Sequence, residues 1–183
     1  MLTTICLLAI LFLAVNGQIF PALLNQLGGT SLQQGLLMSA LFLLFPFSSV
    51  LSGYLADRSS KQLLIALGMM AITLAFVLSA LFDSIRDRTL SVSLIGIGGG
   101  TVESQTSALL TDSNPKRERK IMNLSQTFFS IGAAGGPFLI TLVYHIKSDL
   151  SLNAILWGTT GAPALLMLAF LFLRKRKALS YRC

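Results

Sequence analysis

Two short stretches of this sequence set polar side chains among apolar ones. In "AVNGQIFP" Asn16 and Gln18 stand two residues apart, and "GTVESQTS" carries Thr101, Glu103, Ser104 and Gln105. A carboxyl group among amides and hydroxyls can hold a small solute by hydrogen bonds, or take up and release a proton. Bond-making chemistry has no candidate constellation: no nucleophile is paired with a base, and no metal-ligand spacing occurs. "GIGGG", 96–100, lies inside an apolar run and opens no strand-to-helix turn that would cradle a phosphate. Reversible binding is therefore the expected chemistry, with no enzyme activity and no cofactor.

The elements that must position these residues are membrane-spanning helices. The chain of 183 residues is 54% hydrophobic and only 11% charged, against about a quarter charged in soluble domains. No charged side chain occurs before Asp57. A spanning helix needs about 20 predominantly apolar residues, and the sequence offers six such runs: 2–24, 31–56, 63–82, 90–110, 121–144 and 152–173. They are separated by "NQLGGTSLQQ", whose glycines and small polar residues stop one helix and cap the next, and by the polar stretches "DRSSKQ", "DSIRDRT" and "TDSNPKRERK". The fold expected is an all-α integral membrane bundle over 1–183, with loops at 57–62 and 111–120 and a basic tail at 174–183.

Of the 14 Lys and Arg residues, only Arg86, Arg88 and Lys147 fall on one side of this arrangement. Positive loops are retained in the cytoplasm, so both termini are expected there. The net charge of +7 has the same origin and does not point to nucleic acid. Cys6, inside the first run, and Cys183, at the end, are expected to be unpaired thiols. "MLTTICLLAILFLAVNG" has no Lys or Arg ahead of its apolar core, so it reads as a retained helix rather than a signal peptide.

Glu103 is the costly residue. A charge at the centre of a spanning helix costs about 3 kcal/mol on insertion scales. At 1.5 Å per residue it stands roughly 20 Å from Thr89, near mid-membrane on the cytoplasmic side. One reading makes it a cavity carboxyl that binds substrate or the coupling proton; the other makes it a protonated acid bonded to a neighbouring helix. Asn16 and Gln18 carry the same two readings, solute contact or a tie between helices. Asn123 and Gln126 read as interface hydrogen-bonding residues, and His145 and Trp157 as interfacial ones.

"GYLADRSSKQ", 53–62, resembles the signature loop of the major facilitator superfamily, G-x-L-[AS]-D-R-x-G-[RK]-[RK]. Gly53, Leu55, Ala56, Asp57, Arg58 and Lys61 match it; Ser60 and Gln62 depart from it. In "SIGAAGGPFLI", Gly132, Gly136 and Pro137 are similar to the family's G-x-x-x-G-P core, with Ile140 where the antiporter form has a glycine. "GIGGG" and "NLSQTFFSIGAAGGP" are similar in tone to sugar-type symporters of the superfamily.

The resemblance implies the N-terminal half of a twelve-span carrier, built from two inverted three-helix repeats. It implies a secondary transporter of a small solute, plausible as a proton-coupled one, working by alternating access in the plasma (inner) membrane. Its first and fourth spans line the cavity, with Glu103, Gln105, Asn16 and Gln18 as substrate- or proton-binding candidates. Gly53, Asp57, Arg58 and Lys61 belong to the gate, where the loop acid pairs with neighbouring helices, one of them in the other half. Gly132, Gly136 and Pro137 belong to the rocking region. The partners implied are a small solute, protons, the lipid bilayer and a second six-helix half, in the same chain or in a dimer. Against this stand a plain solvated loop, plain tight packing at the glycines, and a non-transporting half-size scaffold or partner subunit.

Overall fold

The computed structural model describes residues 2–82, 84–146 and 152–180, and these are helical with no strand among them. Lys147, Arg182 and Cys183 lie outside the described residues, as does the end of the basic tail at 181–183. Seven α-helices form six rods: α1 (Leu2–Gly17) continued by α2 (Ile19–Ala22), α3 (Ser31–Ala56), α4 (Lys61–Leu81), α5 (Ile85–Ser113), α6 (Glu118–Ile146) and α7 (Leu152–Ser180).

The first rod is not one helix. Pro21 has no N–H to give the Gly17 carbonyl four residues back, and its ring crowds that carbonyl. The chain answers with a break at Gln18, whose N–H turns back to Val15 O at 3.2 Å. A 3₁₀ turn (Leu24–Gln26) follows, and Gly28 and Gly29 then reverse the chain with φ of 74° and 84°, values that favour glycine. Thr30 starts α3 with a capping box: its backbone N–H donates to Gln33 Oε1 at 2.9 Å, and Gln33 N–H donates to Thr30 Oγ1 at 3.4 Å.

Among the described residues, five segments are long and apolar enough to cross a membrane: Leu2–Ala22, Ser31–Ala56, Lys61–Leu81, Pro115–Val143 and Asn153–Arg174. The fourth rod, α5, has 29 residues but is too polar to qualify by composition. Its position explains this. α5 packs against α3, α4, α1 and α6, so most of its surface meets protein rather than lipid. α5 also differs from the expected 90–110: "IRDRT" is its first helical turn rather than loop, with Asp87 favourably placed near the positive end of the helix. Arg88, buried in that turn, donates from Nη1 to Leu27 O at 3.4 Å.

The charged segment 111–120 is not an open loop. Thr111–Ser113 finish α5, Pro115–Arg117 form a 3₁₀ turn, and α6 begins at Glu118, so only Asn114 breaks the helices. The basic tail is likewise helical as far as Ser180.

The core runs along α1, α4 and α5, with Phe20 and Phe76 stacked at 5.7 Å between centroids. α3 and α6 are the least covered apolar rods: α3 exposes Phe42, Leu43, Phe47 and Val50, and α6 exposes Ile131 and Phe138.

Candidate functional site

The faces of α5 are assigned by its glycines. A Cβ on Gly96 or Gly100 would run into the α3 backbone at Leu41 or Phe45, and one on Gly98 into Gly68 of α4. Gly99 instead faces Phe45 and Leu13, at the junction of α3 and α1. There a cavity of about 160 Å³ is lined by residues of α1, α3, α5 and α6, among them Leu13, Gly17, Phe45, Gly99 and Phe129. Gln18, at the break in the first rod, supplies its one amide.

Glu103 follows Gly99 by four residues, hence on the same face one turn further along. It is half-buried, and among the described residues it has no hydrogen bond or ion pair. Gln105, two residues on, points some 200° away at 3.6 residues per turn. It is buried, and its Nε2 donates to Ser52 Oγ of α3 at 3.2 Å. Ser52 Oγ also lies 2.7 Å from Ser104 Oγ, while Gln105 Oε1 has no partner among the described residues. Asn16 is buried and donates from Nδ2 to Phe12 O in its own helix at 2.8 Å. The geometry therefore puts Gln18 in the cavity wall, leaves Glu103 one turn beyond Gly99 and outside the lining, and turns Asn16 and Gln105 into the packing.

At the far end of α5, Lys61 Nζ pairs with Asp112 Oδ2 at 2.5 Å. Arg58 lies over the Tyr54 ring, 5.5 Å from its centroid, and donates from Nη2 to Tyr54 Oη at 3.3 Å. Asp57 is exposed and has no ion pair among the described residues; Gly53 is exposed with open space around it.

A family model described as Major Facilitator Superfamily matches residues 2–181. The chain belongs to the major facilitator superfamily. It is therefore a multi-pass membrane protein of a superfamily made up of transporters rather than enzymes. No curated protein matches the sequence significantly.

In this major facilitator chain the signature glycines of α6 meet α1 closely. A Cβ on Gly132 would strike the Leu11 carbonyl, and one on Gly136 would come within 3.0 Å of the Val15 carbonyl. Pro137 stands half-buried one residue later, and α6 continues through it. Sequence reasoning missed Asp112, Ser48 and Ser52. Ser48 Oγ donates to Phe45 O at 2.9 Å and lies 3.2 Å from Gly96 O across the α3–α5 contact. The signal was present: Ser48 and Ser52 are one turn apart on an otherwise greasy helix, hence on one face.

No three His, Cys, Asp or Glu side chains converge among the described residues to hold a metal ion.

Proposed function

We propose that this chain is a six-helix module of a secondary transporter that carries a small solute by alternating access, coupled to protons through Glu103. The observation that carries the proposal is the half-buried carboxyl of Glu103, one turn beyond Gly99 of the cavity wall and with no hydrogen bond or ion pair among the described residues. A glutamic acid kept only for packing should bond a neighbouring helix, because an unpaired polar group is costly in a dry interior. An unpartnered carboxyl beside a cavity suits an exchangeable proton or a bound solute instead. Gln18 is the second binding group, and the kink at Gly17 and Pro21 presents it.

In this reading α5 is the fourth of six spans, tolerated despite its polarity because protein surrounds it, and both termini are cytoplasmic in the plasma membrane. The six rods form two inverted three-helix repeats, and a second six-helix half covers the bare faces of α3 and α6. Exposed Asp57 then has its partner in that half, and Gly132, Gly136 and Pro137 form the surface on which α6 rocks against α1. The sugar-type branch supplies the first solutes to try.

The alternative is a non-transporting scaffold. It draws on Gln62, which takes the place of a basic residue of the signature loop and is only 7% exposed.

Uptake into proteoliposomes under an imposed pH gradient, scanned over sugars, amino acids and organic cations, tests the choice. Wild-type uptake that follows the gradient, and loses that dependence in Glu103→Gln, is the expected result. Transport in Glu103→Gln with the wild-type pH response would refute proton coupling through this residue. No uptake of any solute by a correctly assembled protein would favour the scaffold.

A further inference from the structure

We propose that the end of the bundle formed by the α3–α4 turn, the C-terminal turn of α5 and Arg174 of α7 is a binding site for the phosphate headgroup of an anionic membrane lipid. A cavity of about 620 Å³ opens there, with Arg58, Lys61 and Arg174 in its wall and Asp112 as the one acid. Asp112 is already engaged by Lys61, and Arg174 has no ion pair among the described residues. The cavity thus has an excess of positive charge.

Its other donors suit a phosphate. Ser59, Ser60 and Gln62 line it, and α4 begins in its wall. The α4 cap residue Ser60 makes no side-chain cap bond, so the Lys61 and Gln62 amides at the positive helix end are left for an anion.

The location selects a lipid over a soluble anion. Three membrane-length segments terminate at this cavity: Ser31–Ala56 ends at Ala56, Lys61–Leu81 starts at Lys61, and Asn153–Arg174 ends at Arg174. All three terminal residues line it. The cavity therefore sits at headgroup depth, where basic pockets between spanning helices attract anionic lipids.

An apolar track leads away from it into the bilayer. From Leu63 in the cavity wall, Leu67, Met70 and Leu74 follow on one face of α4, and these three are 44%, 49% and 48% exposed. A headgroup in the cavity would lay an acyl chain along that stripe. Free phosphate has no use for it.

Native mass spectrometry of the intact protein in a neutral detergent tests the assignment, with short-chain phosphatidylglycerol and phosphatidylcholine as probes. Phosphatidylglycerol is expected to bind at least about tenfold more tightly than phosphatidylcholine. Arg174→Gln should weaken it about fivefold, the effect of one basic residue at an anionic surface. Lys116→Gln, the same charge change on an exposed residue outside the cavity, should leave binding within about twofold, and millimolar inorganic phosphate should not displace the lipid. Equal binding of the two lipids, or equal loss in the Lys116 and Arg174 variants, overturns the site. Displacement by inorganic phosphate overturns the lipid as its occupant.

Discussion

Lys61 Nζ lies 2.5 Å from Asp112 Oδ2, so the first residue of α4 is tied by charge to the last turn of α5. The pair joins the signature loop to the helix that carries Glu103. Both side chains are partly in solvent, at 28% and 58% exposure, and exposed pairs contribute only about 0.2–1 kcal/mol. Its role is therefore positional more than stabilising. Lys61→Ala and Asp112→Ala should each lower the melting temperature slightly and change transport more. The charge swap, Lys61→Asp with Asp112→Lys, should recover much of that loss. A swap no better than the single variants would mean that the pair sets nothing.

The Ser52–Ser104–Gln105 cluster makes a contrasting prediction. Ser52 accepts from Gln105 and shares a proton with Ser104, so Ser52→Ala strands the buried Gln105 amide at about 1–3 kcal/mol, while Ser104 keeps its bond to Thr101 O. Gln105→Met keeps the volume and removes an oxygen that is already unpaired, so it should cost less. If Gln105 only packs α5 against α3, Gln105→Met leaves the solute concentration for half-maximal uptake unchanged. A large rise in that concentration would return Gln105 to the binding site.

Five of the six rods were legible as long apolar runs and α5 as a more polar run between charged stretches, and Gly28–Gly29 and Thr30–Gln33 punctuate them in the local alphabet of turns and caps. The start of α5 was not. Arg86, Asp87 and Arg88 read as loop by hydropathy, yet Arg88 is buried and bonded to Leu27 O, a tertiary contact that no local pattern reveals. The site was half legible for a related reason. Glu103 announces itself by its cost in a membrane. Which way Gln105 and Glu103 face depends on which neighbour covers each face of α5, and the glycines fix that only after the helices have met. Lys61 was found through its motif, while its partner Asp112 lies 51 positions away with no motif of its own.

Glycine substitutions separate close packing from open space. A Cβ at Gly100 would overlap the Phe45 carbonyl and Ser48 Oγ, whereas one at Gly135 meets nothing within 4 Å. Gly100→Ala should destabilise by about 1–3 kcal/mol, as overpacking does. Gly135→Ala should stay within about 0.5 kcal/mol of wild type, or gain slightly from helix propensity. Thermal unfolding in detergent reads both, and equal effects would argue that α3 and α5 do not approach as described.

The break in the first rod gives the sharpest test of whether local instability serves transport. Pro21→Ala restores an N–H that can bond the Gly17 carbonyl, and removes a conflict that in a helix interior costs about 3 kcal/mol. α1 and α2 should then merge into one helix through Gln18, and the amides of 18–22 should exchange with deuterium more slowly. Gln18 would turn away from the cavity wall, so uptake should fall even as the melting temperature rises. Gly17→Ala is the control: it has open space for its Cβ, gains about 1 kcal/mol of helix propensity and leaves Pro21 in place. It should stabilise the protein without closing the break, and uptake should persist. If Pro21→Ala also keeps full uptake while its exchange slows, the kink is a consequence of sequence with no part in binding, and Gln18 leaves the site.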